Sequence, residues 1–379
     1  MRVVFWTELF WPHIGGVEIF SKQLITALQR RGYEFTVLTS ESNHGNAVEE
    51  MMNGIQIYRL PFQQVIARRD LTPIKELTKQ VVALLQQIQP DLVHINSNQP
   101  SIFIYHLARA NHSVPTLFTL HEPPVQAHGD NSLVGRTMRA ADWVVAVSQA
   151  TLSQARQMMP EITSRSSVIY NGLEMPLLPI TPLPFDPPSL LCIGRLIGEK
   201  GFDLAIQALG DIRGVFPSAH MVIAGDGRDR PHLEMQAEKL GLKDAVEFIG
   251  WYQPERIPAL INAATIVLMP SRWQEPFGLV ALQAAQMARP VIASRTGGLP
   301  EVVVHNETGL LVEKDDSSEL ARQVVYLLQH PEIATRMGHA ARERVQQLFS
   351  LERSTTAYDT LYMTLGHLTC PIPAIGGHE

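Results

Sequence analysis

The sequence predicts an α/β protein made of two doubly wound, parallel-sheet domains. Three observations carry this. Short apolar strands alternate with amphipathic helices along the whole chain, and one proline-rich stretch near the middle interrupts that rhythm. A length of 379 residues also exceeds what one ordinary core organises.

The first strand is read at residues 2–7. Val17, Phe20, Leu24 and Leu28 then mark one face of a helix that Gly32 closes. Further strands are expected at 35–39, 91–95, 116–120 and 143–147. Residues 173–188 hold six prolines in sixteen positions, which neither a helix nor a central strand accommodates, and this segment reads as an inter-domain linker. Beyond it, strands are expected at 190–193, 221–224, 246–249, 266–269 and 291–293, with helices over 203–209 and 231–240 and from Ser317 to about Phe349. The expected domains are 1–172 and 189–349, and ligands would bind in a cleft at the C-terminal ends of their strands.

Composition narrows the class. A hydrophobic fraction of 45% and a charged fraction of 18% belong to a soluble globular protein. The net charge is −6: residues 1–180 carry 14 cationic and 14 acidic side chains, and the remainder 17 against 23, which excludes a general nucleic-acid binder. Two cysteines, Cys192 and Cys370, make no disulfide framework; Cys192 falls in an apolar strand and reads as a buried thiol. No signal peptide precedes the first strand and no apolar run is long enough to span a bilayer, so the expected compartment is the cytoplasm.

The chemistry is expected in the loops after the strands. Gly15 and Gly16 join the first strand to the first helix, where a tight turn would let a ligand press against the helix N-terminus; glycine pairs are also common there for structural reasons alone. His121 follows the strand at 116–120, as a cleft residue or a structural histidine. Asn171-Gly172 reads as a plain turn, and Gly225-Asp226-Gly227 as a sharp one that shapes its loop. Arg195 and Lys200 follow the strand at 190–193; a planar guanidinium and a compact ammonium beside glycines suit a diphosphate better than two solvated loop cations. Glu275-Pro-Phe277-Gly278-Leu279 reads as the first turn of a helix, whose unpaired N–H groups and positive dipole end favour anions and polyols.

Taken in order, Pro12-His-Ile-Gly15-Gly16-Val-Glu18, Val147-Ser148, Tyr170-Asn171-Gly172, Gly194-Arg195 to Lys200-Gly201, Gly225-Asp226-Gly227, Glu275-Pro-Phe-Gly-Leu279, Gly297-Gly298-Leu-Pro-Glu301 and Thr308-Gly309-Leu310 resemble the family 4 retaining glycosyltransferases of the GT-B fold. The resemblance runs along nearly the whole chain. It implies two Rossmann-like domains facing a cleft, and a last helix, over 350–368 and followed by a tail at 369–379, that crosses back to pack on the N-terminal domain. It further implies that Arg195 and Lys200 hold the donor diphosphate and Glu275 bonds a sugar hydroxyl. The backbone of Phe277, Gly278 and Leu279 would face sugar and phosphate, Gly15 and Gly16 would close over the phosphates, and His121 would reach the donor sugar.

One position departs from the family pattern. Where the family has a second glutamate, this chain has Gln283, eight residues after Glu275 and so on the same face of one expected helix. The family carboxylate accepts from the nucleotide ribose; a glutamine accepts without the charge, at a cost on the order of 1 kcal/mol in donor binding. No Asp-x-Asp pair is present, no metal is expected, and Arg195 and Lys200 would supply the positive charge. The implied activity is transfer of a sugar from a nucleotide-diphosphate sugar, as co-substrate, to a glycan, lipid-linked or small-molecule hydroxyl, with no cofactor. Two other readings remain: an epimerase or hydrolase on the same fold, and a regulatory subunit with a weakened site, for which Gln283 is the motive. The segment 65–73, with Arg68 and Arg69, and the pair Arg136 and Arg139 beside Leu133 and Val134 read either as ordinary amphipathic surface or as a peripheral membrane contact.

Overall fold

The computed structural model describes residues 1–13, 15–41, 48–110, 113–124 and 131–367; Ile14, Cys370 and the tail at 369–379 lie outside them. The chain forms two compact units, one of residues 1–170 with 351–379 and the other of residues 171–350.

The first unit contains β1 (Arg2–Trp6), β2 (Glu34–Ser40), β3 (Val48–Met52), β4 (Ile55–Leu60), β5 (Leu92–Ile95), β6 (Thr116–Leu120), β7 (Trp143–Ala146) and β8 (Ser166–Val168). They form one sheet in the order β3-β4-β2-β1-β5-β6-β7-β8, parallel except where β3 runs against β4. The chain winds outward from β1 in one direction and from β5 in the other, so the order reverses between these two neighbours. Alternation along β1 explains why both faces are dry. Val4 and Trp6 join one apolar cluster, with Phe62, Tyr105 and Phe118, whereas Val3 and Phe5 join another beneath the helix Gly16–Gln29.

The C-terminal helix Leu351–His367 completes that second cluster with Tyr358, Tyr362 and Leu365. Polar contacts hold it there: Arg31 Nη1 lies 2.7 Å from Asp359 Oδ2, Tyr33 donates to Asp359 Oδ1 at 2.5 Å, and the Tyr362 hydroxyl meets His94 Nδ1 at 2.6 Å.

The second unit contains β9 (Ser189–Ile193), β10 (His220–Ala224), β11 (Val246–Gly250), β12 (Ile266–Met269), β13 (Val291–Ser294) and β14 (Gly309–Val312). All are parallel, in the order β11-β10-β9-β12-β13-β14, and here the order reverses between β9 and β12. Cys192 is fully buried in β9, and burial pushes its thiol pKa up.

Two segments differ from the sequence reading. Residues 173–188, expected to link the domains, fall inside the second unit. A proline run has carbonyls without N–H donors, and buried donors answer it: Asn262 Nδ2 donates to Pro179 O at 3.0 Å, and Arg289 donates to Thr181 O and Thr181 Oγ1, each at 2.9 Å. Arg289 is 1% exposed, so its bonds to Thr181 are shielded from water and anchor the segment there. Asn171-Gly172, read as a turn, is buried, irregular chain.

Candidate functional site

In each sheet the point where strand order reverses leaves a crevice at the strands' C-terminal ends. In the second unit the flanking loops follow β9 and β12. The loop after β9 carries Arg195 and a short 3-10 turn, Gly198–Lys200. The loop after β12 carries Ser271, Arg272 and Glu275 and ends at Gly278, the N-cap of the helix Leu279–Gln286.

Lys200 and Glu275 meet across this crevice. Lys200 Nζ lies 2.5 Å from Glu275 Oε1, and Ser271 Oγ donates to the same oxygen at 2.8 Å. Glu275 is 6% exposed, so the ammonium and the hydroxyl compensate a carboxylate withdrawn from water. Oε2 has no hydrogen-bond partner among the described residues and keeps its capacity to accept from a hydroxyl. The loop after β13 closes the arrangement: Gly298 N donates to Glu275 O at 2.7 Å. Gly297 makes that approach possible, because its φ is +54° and a Cβ there would stand 2.2 Å from Glu275 O.

Arg272 fastens the two loops together. Its guanidinium grips both oxygens of Asp203, at 2.7 and 2.8 Å, and reaches Gly198 O at 3.1 Å and Asp315 Oδ1 at 2.5 Å. Burial pushes the Asp203 carboxyl up, but hydrogen bonding and charge from Arg272 outweigh it, and the net shift is downward. The Arg195 side chain is exposed and makes no hydrogen bond or ion pair among the described residues, so its fork is free for an anion.

The helix beginning differs from expectation. Glu275 precedes the helix rather than occupying its first turn, because Gly278 takes a φ of +102° and breaks the helical path. The shared-face argument for Glu275 and half-buried Gln283 therefore fails, since only Gln283 is helical. The Phe277 side chain belongs to the core: it is 2% exposed and packs edge-on against Phe349 with centroids 5.5 Å apart. Leu279 opens the helix, and no side chain caps it, which leaves first-turn N–H groups for solvent or a ligand.

In the first unit, Gly15 is the N-cap of the helix Gly16–Gln29 and also has no side-chain cap. Its φ of −163° is extended backbone, a conformation that does not itself require glycine. His121, at the end of β6, is 7% exposed, and its Nε2 lies 2.8 Å from Asn96 Oδ1. Burial lowers its pKa to about 4, so the ring is neutral near pH 7. Glu8, just past β1, is a buried carboxylate that accepts from Ser40 Oγ at 2.7 Å and Gln63 Nε2 at 2.8 Å. The sequence reading passed over Glu8, Asn96, Ser271 and Arg272. Their one signal is position, since each follows a strand's C-terminal end.

Comparison with known proteins decides the family. The profile described as "Glycosyltransferase Family 4" matches residues 14–175, and the one described as "Glycosyl transferases group 1" matches residues 179–344. The chain belongs to the family 4 glycosyltransferases. This glycosyltransferase is 28% identical to a glycogen synthase of Mycobacterium tuberculosis over 92% of its own length and 91% of the relative's. It is 24% identical to N-acetyl-alpha-D-glucosaminyl L-malate synthase of Bacillus anthracis, over 93% and 94% of the two chains. Its fold is GT-B. A sucrose-phosphate synthase from Thermosynechococcus elongatus superposes with a TM-score of 0.83 at 24% identity, covering 97% of this chain and all of that one. Anabaena Alr3699/HepE, solved with UDP and glucose, superposes with a TM-score of 0.79 at 22% identity, covering 96% of this chain and all of that one.

Proposed function

We propose that this glycosyltransferase moves a sugar from a nucleoside-diphosphate sugar to a hydroxyl acceptor, with retention of anomeric configuration and without a metal ion. The observation that carries the proposal is the Lys200–Glu275 pair at the β9/β12 crevice, with Arg195 exposed on the Lys200 loop. Lys200, Arg195 and the open helix end at Gly278 supply positive charge where a diphosphate leaving group develops negative charge. Glu275 Oε2 accepts from a sugar hydroxyl. HepE, solved with UDP-glucose, supports a donor of this chemical class. Gln283 takes the place of a charged partner for the nucleotide ribose and weakens donor binding rather than abolishing it.

In the proposed reaction the bond from the anomeric carbon to the diphosphate oxygen breaks, and the acceptor oxygen bonds that carbon from the same face. The acceptor's proton passes to the departing phosphate. His121 meets the donor sugar as a neutral ring, and Gly15 and Gly16 approach its phosphates. The acceptor is a hydroxyl presented to the first unit.

Thermal melts with UDP-, GDP- and ADP-sugars, each with EDTA, test the donor site. A nucleotide at about 100 times its Kd adds about 2.7 kcal/mol of stability. NMR of the product's anomeric proton tests the stereochemistry, and an inverted product would overturn retention. A membrane contact through residues 65–73 rests on exposed Arg68, Arg69 and Leu71, since Val65, Ile66, Leu133 and Val134 pack on the core. Pelleting with anionic liposomes tests it, and recovery independent of anionic lipid removes it.

A further inference from the structure

Three elements of the first unit converge on His121. It stands at the end of β6; Asn96 stands at the end of β5, where its backbone N donates to Trp6 O at 2.7 Å; and Ser21 lies on the helix Gly16–Gln29. The Asn96 side chain bridges the other two. Its Oδ1 lies 2.8 Å from His121 Nε2, and its Nδ2 donates to Ser21 Oγ at 2.9 Å. Asn96 and Ser21 are each 1% exposed, so water does not compete for these bonds. In this orientation Asn96 can only accept from the imidazole, which puts the ring proton on Nε2 and leaves Nδ1 with a bare lone pair.

We infer that Asn96 is a positioning residue that fixes the tautomer of His121, holding Nδ1 as an acceptor for the donor sugar, so that a hydroxyl meeting it must donate. The inference rests on the proposed placement of His121 at that sugar and adds which way the hydrogen bond runs. Asn96 acts through His121 and through the helix headed by Gly15 and Gly16, because Ser21 ties the same amide to that helix. The groups around the ring suit a neutral acceptor. His94 from β5 is the titratable neighbour coupled to it, and Tyr358 from the C-terminal helix packs on Phe20, whose ring faces His121 at 6.5 Å. His121 has no ion-pair partner among the described residues.

The test is ring-nitrogen NMR of the full chain labelled in histidine, with His121→Gln used to assign the His121 signals. The expected result for the unsubstituted protein is a protonated Nε2 and an unprotonated Nδ1 across neutral pH. Asn96→Asp puts a carboxylate at the same place and should raise the midpoint of His121 titration by more than one pH unit. Asn96→Leu should give a ring that exchanges between tautomers. A protonated Nδ1 in the unsubstituted protein, or an unmoved titration in Asn96→Asp, overturns the inference. Unchanged sugar transfer in His121→Gln would instead remove His121 from the donor sugar while leaving the tautomer assignment intact.

Discussion

Lys200 Nζ stands 2.5 Å from Glu275 Oε1, a contact between residues seventy-five positions apart. The two lie on loops that leave neighbouring strands, β9 and β12, on either side of the point where strand order reverses. Each neutralises the other across the crevice, and each is available to a ligand carrying both phosphate and hydroxyl groups. Lys200→Met strips the cation from a carboxylate that is 6% exposed. Because Lys200 keeps 24% of its side-chain surface, the expected loss is about 2 kcal/mol, below that of a fully buried pair. Urea melts should show the double substitution Lys200→Met/Glu275→Gln regaining part of that loss, while sugar transfer stays abolished in both. A double variant no more stable than Lys200→Met would show that the pair is not coupled.

Arg195 makes the opposite prediction. Its guanidinium has no partner to lose among the described residues, so Arg195→Ala should leave unfolding within about 0.5 kcal/mol of the parent. Nucleoside-diphosphate affinity, read by calorimetric titration, should fall at least tenfold, the equivalent of about 1.4 kcal/mol. Equal affinities would detach Arg195 from the donor site.

Gly297→Ala should damage both stability and binding. The new Cβ would stand 2.2 Å from Glu275 O on a residue at φ +54°, so the loop after β13 must shift and take the Glu275 backbone with it. A loss of about 2 kcal/mol is expected, from backbone strain together with the displaced contact. A variant as stable as the parent that still binds nucleotide would contradict the geometry.

Acid should loosen the first unit. Burial lowers His121 from the ordinary 6.5 to about 4, and His94 falls well below 6.5 through burial and its neighbour His121. A histidine depressed in the fold binds its proton more readily in the unfolded chain. Stability is therefore fully present above about pH 6.5 and is lost as pH falls towards about 4. For His121 the loss is of order 3 kcal/mol. Urea midpoints measured across that range should slope less steeply in His121→Asn than in the parent.

Much of this was legible from residue pattern. The apolar strands at 2–7, 116–120 and 266–269 announce sheets covered on both faces, and the cations at 195 and 200 sit among glycines at a strand's end. What escaped depends on contacts between distant residues. The antiparallel pair β3 and β4 escaped because its apolar alternation is short and broken. The residue pattern places Glu275 in a helix because composition does not reveal the left-handed turn at Gly278 that delays the helix. The prolines of 173–188 exclude regular structure and suggest a link between domains; that the segment packs within the second unit depends on Asn262 and Arg289, about eighty or more positions away. Asn96 and Arg272 carry no motif at all; their roles appear only when loops from separate strands are brought together.

The chain enters the second unit at Asn171 and leaves it at Ser350, and there Leu173 N donates to Phe349 O at 3.3 Å while Leu173 bridges Ser350. In genetic terms that unit is a cassette whose two ends already touch. Excised as residues 171–350 it would need no spacer to bring its termini together, and the same junction could receive the cassette of a relative. Exchanging it would test, with a single splice at each end, whether nucleotide preference travels with the piece that carries Arg195, Lys200 and Glu275.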